Sequence, residues 1–371
     1  MKRIGITGQN GFVGTHLYNT LGLFPDEFDR VDFDKTFFED DNKLDDFVSK
    51  CDIIVHLAAL NRHESPQVIY DTNIALIEKL IVSFERTKSL PQVLFSSSSQ
   101  ETNESLYGVS KMQGRILFEN WSKKNNSIFT GLIIPNVFGP FGKPYYNSVI
   151  ATFCNQVAEN KETEIKVDSN LNLIYVGELV NVFLEEIRNP ESKTLKVQHT
   201  KEAKVSDLLA LLNKYRDIYQ INGEVPNLDN KFELNLFNTF RSYINHKEHF
   251  PVKTTKHTDS RGSFVEIIRH GIGGQTSFST TEPNIVRGNH YHTRKIERFF
   301  VIKGKALIQL RKIGTDEVLE FYLDGEFPSY VDMPIWYTHN IKNIGDEVLY
   351  TNFWINEPYN PNDPDTYFEE V

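Results

Sequence analysis

Glycines at the end of a short apolar run constrain this chain more than anything else in it. Ile4–Thr7 reads as a buried strand, and Gly8-Gln-Asn10-Gly11-Phe12-Val13-Gly14 follows it directly. Helical spacing then begins at Val13, Leu17 and Leu21. A bare glycine triplet is common in turns, so the strand–turn–helix setting carries the weight. Glycines there let the turn close tightly and the backbone approach a pyrophosphate, while N–H groups at the helix start face the anion. The arrangement predicts a dinucleotide site made by Gly8, Asn10, Gly11, Phe12, Val13 and Gly14. Asp32, at the expected end of the second strand, can accept from the adenosine ribose hydroxyls, which favours NADH. Asp34 is an alternative, and Arg30 and Lys35 keep NADPH open.

Further apolar runs at Cys51–Ala59, Gln92–Ser97 and Ile128–Ile134 read as buried parallel strands. Ile74, Ile77, Leu80, Ile81 and Phe84 between them make one face of a helix. Strand and helix in alternation predict a doubly wound α/β parallel sheet. Glu39–Asp46 reads as a solvated loop and helix start. Ser96–Ser99 ends one strand, and Tyr107 and Lys111 follow at helical i, i+4 spacing, on one face. An ammonium beside the phenol is expected to lower its pKa from about 10. The phenol can then hand its proton to a carbonyl oxygen as hydride reaches the carbon. An isolated Tyr-x-x-x-Lys is usually a surface pair; the serine run and the glycine turn argue for chemistry here.

Val205–Tyr243 is helical and aromatic-rich, and either extends the first domain or closes over a substrate. Beyond it, strand-like runs (Phe264–Arg269, Arg298–Val301, Ala306–Leu310, Val318–Tyr322, Val348–Phe353) alternate with turn residues. They predict a small antiparallel sandwich or barrel, with domains at 1–245 and 246–371. His290 and His292 share a face of a strand, and Glu297 and His339 can complete a metal-binding set of three nitrogens and one oxygen. A structural histidine cluster in a polar barrel interior is the blander alternative.

Composition narrows the field. Hydrophobic residues are 39% and charged residues 24%, a globular balance, and the net charge of −10 offers no general attraction to nucleic acid or an anionic membrane. The two cysteines, Cys51 and Cys154, make neither a disulfide framework nor a cysteine zinc site. No apolar run is long enough to span a bilayer and no signal peptide is evident, so a cytoplasmic location is expected.

The glycine turn and Tyr107-Gly-Val-Ser-Lys111 resemble the extended short-chain dehydrogenase/reductases, a Rossmann-like group of nucleotide-sugar epimerases, dehydratases and reductases. The resemblance runs over most of 1–245. It implies Ser98 as the catalytic serine, with Ser97 the alternative, beside Tyr107 and Lys111. It also implies that Leu57, Ala58 and Ala59 of His56-Leu-Ala-Ala59 lie under the cofactor, with Lys111 also touching it. Asn73 belongs to the same pattern, and Asn136 of Pro135-Asn-Val-Phe-Gly-Pro140 touches the substrate. The Ser98–Tyr107 stretch is short for this group, and Val176-Gly-Glu178 replaces its usual Val-Asp-Asp. His290-Tyr-His292, Glu297 and His339 resemble the two cupin motifs, with Trp336 where a glycine is usual. Asp259–Phe264 and Val286–His290 resemble the cupin-shaped dTDP-4-keto-sugar 3,5-epimerases, and Tyr291, Tyr337 and Arg261 are candidates for proton and charge handling.

Across nearly the whole chain, including Tyr145–Cys154 and Asn360–Phe368, the order of motifs resembles the bifunctional capsular-polysaccharide enzymes of the UDP-N-acetyl-L-fucosamine pathway. That resemblance implies zinc, NADPH, a homodimer and a UDP-linked 4-keto-6-deoxy amino sugar, epimerised at C3 by the cupin and reduced at C4 by the reductase. Two rivals remain open: a single-function reductase with a structural, dimerising cupin, and a nucleotide-sensing protein without catalysis.

Overall fold

The computed structural model describes residues 1–371 except 260, 261, 266, 268–272 and 358, and gives the backbone alone for 256–259 and 262–265. Arg261 and the side chains of the Asp259–Phe264 stretch therefore lie outside the described residues. The chain divides into two compact units, 1–152 with 167–205, and 153–166 with 206–371.

The first unit alternates strand and helix: β1 (Lys2–Thr7), α1 (Phe12–Leu21), β2 (Phe28–Val31), α2 (Asp41–Lys50), β3 (Ile53–His56), α3 (Pro66–Thr87), β4 (Gln92–Ser98), α4 (Leu106–Asn125) and β5 (Phe129–Ile134). Then come β6 (Asn136–Phe138), α5 (Val149–Ala158, which runs into the second unit), β7 (Asn170–Tyr175), α6 (Val176–Arg188), β8 (Lys193–Lys196) and β9 (Lys201–Lys204). Six strands pair in the order β2-β1-β3-β4-β5-β8, all in parallel. Alternate residues of each strand feed opposite layers. Ile53 and Val55 join Leu17, Leu21, Leu179 and Phe183 of α1 and α6, whereas Ile54 joins Phe47, Leu80, Phe84 and Trp121 of α2, α3 and α4. Both faces are covered, which is why these strands read as unbroken apolar runs. The order reverses at β1, so the carboxyl ends of β1 and β3 part and leave a crevice. Leu57–Ala59, expected within a strand, lies beyond the end of β3 and turns into that crevice. The acidic stretch supplies the N-cap of α2, with Asp40 accepting from Asn42 and Lys43 N–H.

In the second unit, two five-stranded antiparallel sheets make a cupin-like sandwich. One contains Gln275–Thr281, Glu297–Lys303, Ser329–Met333 and Leu349–Ile355; the other contains Val286–Tyr291, Lys305–Lys312, Val318–Asp324 and Tyr337–Asn343. Phe299 and Val301 from the first meet Ile308, Leu310 and Phe321 from the second in one core.

Helices α7 (Val205–Tyr215) and α8 (Lys231–Arg241), expected before the boundary at 246, group with this sandwich instead. The reason is a buried polar lock. Arg298 and Asp332, 2% and 1% exposed, pair through two hydrogen bonds of 2.7 and 3.0 Å. The Tyr219 hydroxyl, in the π-helical turn after α7, donates to the same Asp332 carboxylate at 2.6 Å. Arg241 of α8 donates to the Met333 carbonyl. Among the described residues, no helix is long and apolar enough to cross a membrane.

Candidate functional site

The crevice at the ends of β1 and β3 opens into a cavity of about 900 Å³. Its lining includes Gly8, Asn10, Gly11, Phe12, Val13, Gly14, Leu57, Ala58, Ala59, Ser98, Tyr107, Lys111 and Asn136. Gly8 sits at φ +79°, a conformation most side chains avoid, and a Cβ there would lie 2.8 Å from Ala58 N. A Cβ on Gly14 would lie 2.2 Å from the Gly8 carbonyl oxygen, so glycine is what lets α1 pack onto the turn. Gly11 caps α1 without any side-chain bond to its N–H groups, and the first turn carries no acid. A helix start left in this state suits a diphosphate, so these residues fit a dinucleotide. Asn73, buried on α3, holds the Leu60 backbone by its N–H and carbonyl and so fixes the loop carrying Ala58 and Ala59.

Ser98 ends β4, and Tyr107 and Lys111 lie in the first turns of α4, which Ser105 caps through Gly108 N–H. Ser98 and Tyr107 line the same cavity. The Lys111 ammonium donates to the Ser96 carbonyl at 2.9 Å and lies 5.9 Å from the centre of the Tyr107 ring. Burial pulls Lys111 down to about 8, against the opposing charge of Glu101. The expected lowering of Tyr107 is not what this geometry gives. Burial pushes the phenol up to about 12, against a smaller opposing effect of Ser98. The ammonium donates to Ser96 instead and does not reverse that.

Sequence reading missed the neighbours of this trio. Tyr146 enters the same cavity and accepts from Asn61 N–H at 3.3 Å, while Arg62 holds the Tyr145 and Tyr146 carbonyls. Glu101, gripped by Arg115 through both carboxylate oxygens, accepts from the Ser97 hydroxyl. Ser97 is therefore tied to Glu101, which leaves Ser98 as the serine beside Tyr107. No residue pattern announces these contacts, because each joins segments that are distant in sequence or in different elements.

In the second unit His290, His292, Glu297 and His339 bring one ligand atom each within 4.8 Å of one another. His290 and His339 are opposite each other on paired strands, and Glu297 opens a strand of the other sheet. Glu297 Oε2 lies 3.1, 3.1 and 4.0 Å from the Nε2 atoms of His292, His339 and His290. Donors about 2.1 Å from a tetrahedral zinc would be about 3.4 Å apart, inside this range. Nδ1 of His292 meets the Asp365 carbonyl at 2.5 Å and Nδ1 of His339 meets the Tyr337 carbonyl at 3.3 Å. Carbonyls only accept, so each Nδ1 carries a proton, and in the neutral ring Nε2 turns a lone pair toward an acceptor-only carboxylate. A cation among them removes that conflict, so the residues fit a metal.

Residues 4–197 match the NAD dependent epimerase/dehydratase family, and residues 257–367 match the polysaccharide biosynthesis C-terminal domain. The chain belongs to the NAD dependent epimerase/dehydratase family. This family member is 30% identical to the UDP-2-acetamido-2,6-beta-L-arabino-hexul-4-ose reductase of Pseudomonas aeruginosa PA103, covering 98% of both chains. It also resembles the capsular polysaccharide assembling protein CapF of Staphylococcus aureus, with 34% identity, complete coverage of both chains and a TM-score of 0.62. It is also 28% identical over 123 residues to the spore coat polysaccharide biosynthesis protein SpsL of Bacillus subtilis 168, covering 30% of this chain and 82% of that one. Such full-length relatives put it in the two-part capsular-polysaccharide branch anticipated from its motifs.

Two residues of this epimerase/dehydratase family member carry contacts that the sequence did not announce. Asp32 is exposed and lies outside the cavity lining; its carboxylate accepts from the Tyr18 hydroxyl at 2.6 Å, and Arg30 stacks over the Tyr18 ring. Glu178, where the usual motif has aspartate, reaches back to Tyr175 N–H and accepts from the Thr200 hydroxyl. Its carboxylate tethers the start of α6 rather than facing the cavity lining.

Proposed function

We propose that this protein is a bifunctional cytoplasmic nucleotide-sugar enzyme of capsule or O-antigen polysaccharide synthesis. Its cupin unit epimerises C3 of a UDP-2-acetamido-2,6-dideoxy-4-hexulose, and its first unit reduces the C4 ketone to a UDP-6-deoxy-L-talosamine derivative. The observation that carries the reading is the meeting of Ser98, Tyr107, Lys111 and Asn136 with the glycine turn around one cavity. The full-length likeness to a named hexulose reductase supports the same substrate class.

In the reductive step, Ser98 holds the C4 oxygen and Tyr107 gives it a proton. A phenol raised to about 12 is fully protonated at working pH, the state a proton donor needs. The Lys111 charge favours the phenolate left behind. A nicotinamide dinucleotide, its diphosphate held at Gly8–Gly14, would supply the hydride, with NADPH the preferred form. The Asp32 carboxylate is occupied by Tyr18, which favours that choice, and Arg30 adds a cation nearby. Asn136 orients the sugar from β6.

In the cupin, His290, His292, Glu297 and His339 would hold zinc, which when bound offsets charge on the ketone oxygen as the C3 proton leaves. We also take the working form as a homodimer: among the described residues Gln275–Thr281 is an edge strand, and its Phe278 is 76% exposed.

The test is deuterium uptake by NMR. The full-length protein meets the UDP-4-hexulose in D₂O without cofactor, then with NADPH or NADH. Deuterium at C3 that disappears in a His290→Ala/His339→Ala double variant is expected, followed by cofactor oxidation that is lost in Tyr107→Phe. Turnover of cofactor without exchange would leave a reductase with a structural cupin. The absence of both exchange and turnover would sink the enzyme reading.

A further inference from the structure

The segment Asn360–Phe368 has no part in the chemistry above, yet it closes over the candidate metal centre. Asp365 is 1% exposed, and its backbone lies at φ +40°, in a region that aspartate tolerates better than most side chains. Its carboxylate accepts from the Thr293 N–H and hydroxyl at 2.9 and 2.6 Å, and from the Arg294 and Lys295 N–H groups at 3.0 Å each. Successive N–H groups converging on one anion make a nest. That nest is the loop between His292 and Glu297, so the carboxylate fixes the spacing of both. The carbonyl of the same residue receives Nδ1 of His292 at 2.5 Å. Lys295 Nζ donates to the Pro364 carbonyl at 2.6 Å, and Tyr367 stacks on Tyr291, which keep the segment seated.

We propose that Asp365 is a positioning residue for the metal centre, setting both the orientation of the His292 ring and the geometry of the loop that joins two of its ligands. The inference rests on reading His290, His292, Glu297 and His339 as that centre. A carbonyl on Nδ1 selects the tautomer that leaves Nε2 to bind, and makes that nitrogen a better donor. Without the carboxylate, three loop N–H groups lose their partner and His292 loses its fixed carbonyl. Affinity for the metal then falls although every ligand is present.

The experiment uses the full chain, stripped with a chelator and titrated with zinc in competition with a chromophoric chelator. Asp365→Gly removes the carboxylate while suiting the positive φ; Asp365→Asn keeps an acceptor oxygen. The zinc dissociation constant is expected to rise by on the order of 10–100-fold in Asp365→Gly and by less in Asp365→Asn. Circular dichroism of the metal-free proteins reports whether each is folded, and the d–d spectrum after cobalt(II) loading reports ligand geometry. A shifted cobalt spectrum is expected for Asp365→Gly. A folded Asp365→Gly with unchanged zinc affinity and cobalt spectrum overturns the proposal and leaves the segment a structural strap. If the glycine variant does not fold, Asp365→Asn decides by the same two readouts. A wild-type protein that takes up no zinc overturns the metal reading itself, an outcome separable from the others.

Discussion

Burial sets the acid–base behaviour of the reductase residues. Lys111, at about 8, loses its proton inside the working range, whereas Tyr107, at about 12, does not. The lysine's shift is downward, so the ammonium is present below about pH 8 and lost as pH rises through it. The kcat/KM for hexulose reduction is therefore expected to fall above about pH 8, about tenfold per pH unit once the limb is reached. Lys111→Arg, if folded, should erase that limb, since arginine stays charged. A profile flat to pH 10 in the wild type would assign the charge a different role. The pair itself was legible because helical spacing puts i and i+4 on one face. The sign of the Tyr107 shift was not, because a four-residue motif says nothing about how much water surrounds it. Asp32 is similar: its place after β2 was readable, its engagement with Tyr18 was not.

Among the elements, apolar runs located β1, β3, β4 and β5 to within a few residues, since strands covered on both faces have no polar alternation to obscure them. Helices α7 and α8 were equally readable as helices. Their partner was not, because Leu208, Leu212 and Phe237 announce a buried face without saying what covers it. The deciding contacts are polar and distant in sequence: Tyr219 and Arg298 on Asp332, and Arg241 on Met333. Arg298→Met leaves the Asp332 carboxylate buried without its cation and is expected to cost about 3–5 kcal/mol, read as a lower denaturant midpoint for the second unit. Burial raises the Asp332 carboxyl, but Arg298 outweighs it and holds the net shift downward. Its contribution is thus present above an unfolded value of about 4 and drains away as pH falls through the lower folded one. Acid unfolding should lose that component in Arg298→Met. An unchanged midpoint would make the lock dispensable.

For the whole molecule, the two-part plan was visible in the change from helical to strand-like patterning, and so was the chemistry of each part. The seam was not. A fragment 1–245, cut where patterning changes, would carry α7 and α8 without the sandwich they pack on. It is expected to bind a hydrophobic dye and to lack a cooperative melt. A sharp thermal transition in that fragment would show that these helices need no sandwich.

The chain changes unit after 152, after 166 and after 205. A gene encoding it has a matching property: one crossover, wherever it falls, never exchanges one unit and leaves the other whole. Moving everything from 206 onward leaves 153–166 behind, and moving everything from 153 carries 167–205 away from its own sheet. A single junction therefore never recombines the two units cleanly, and a hybrid joined anywhere between 167 and 206 inherits a mixed second unit, with 153–166 from one parent and the sandwich from the other.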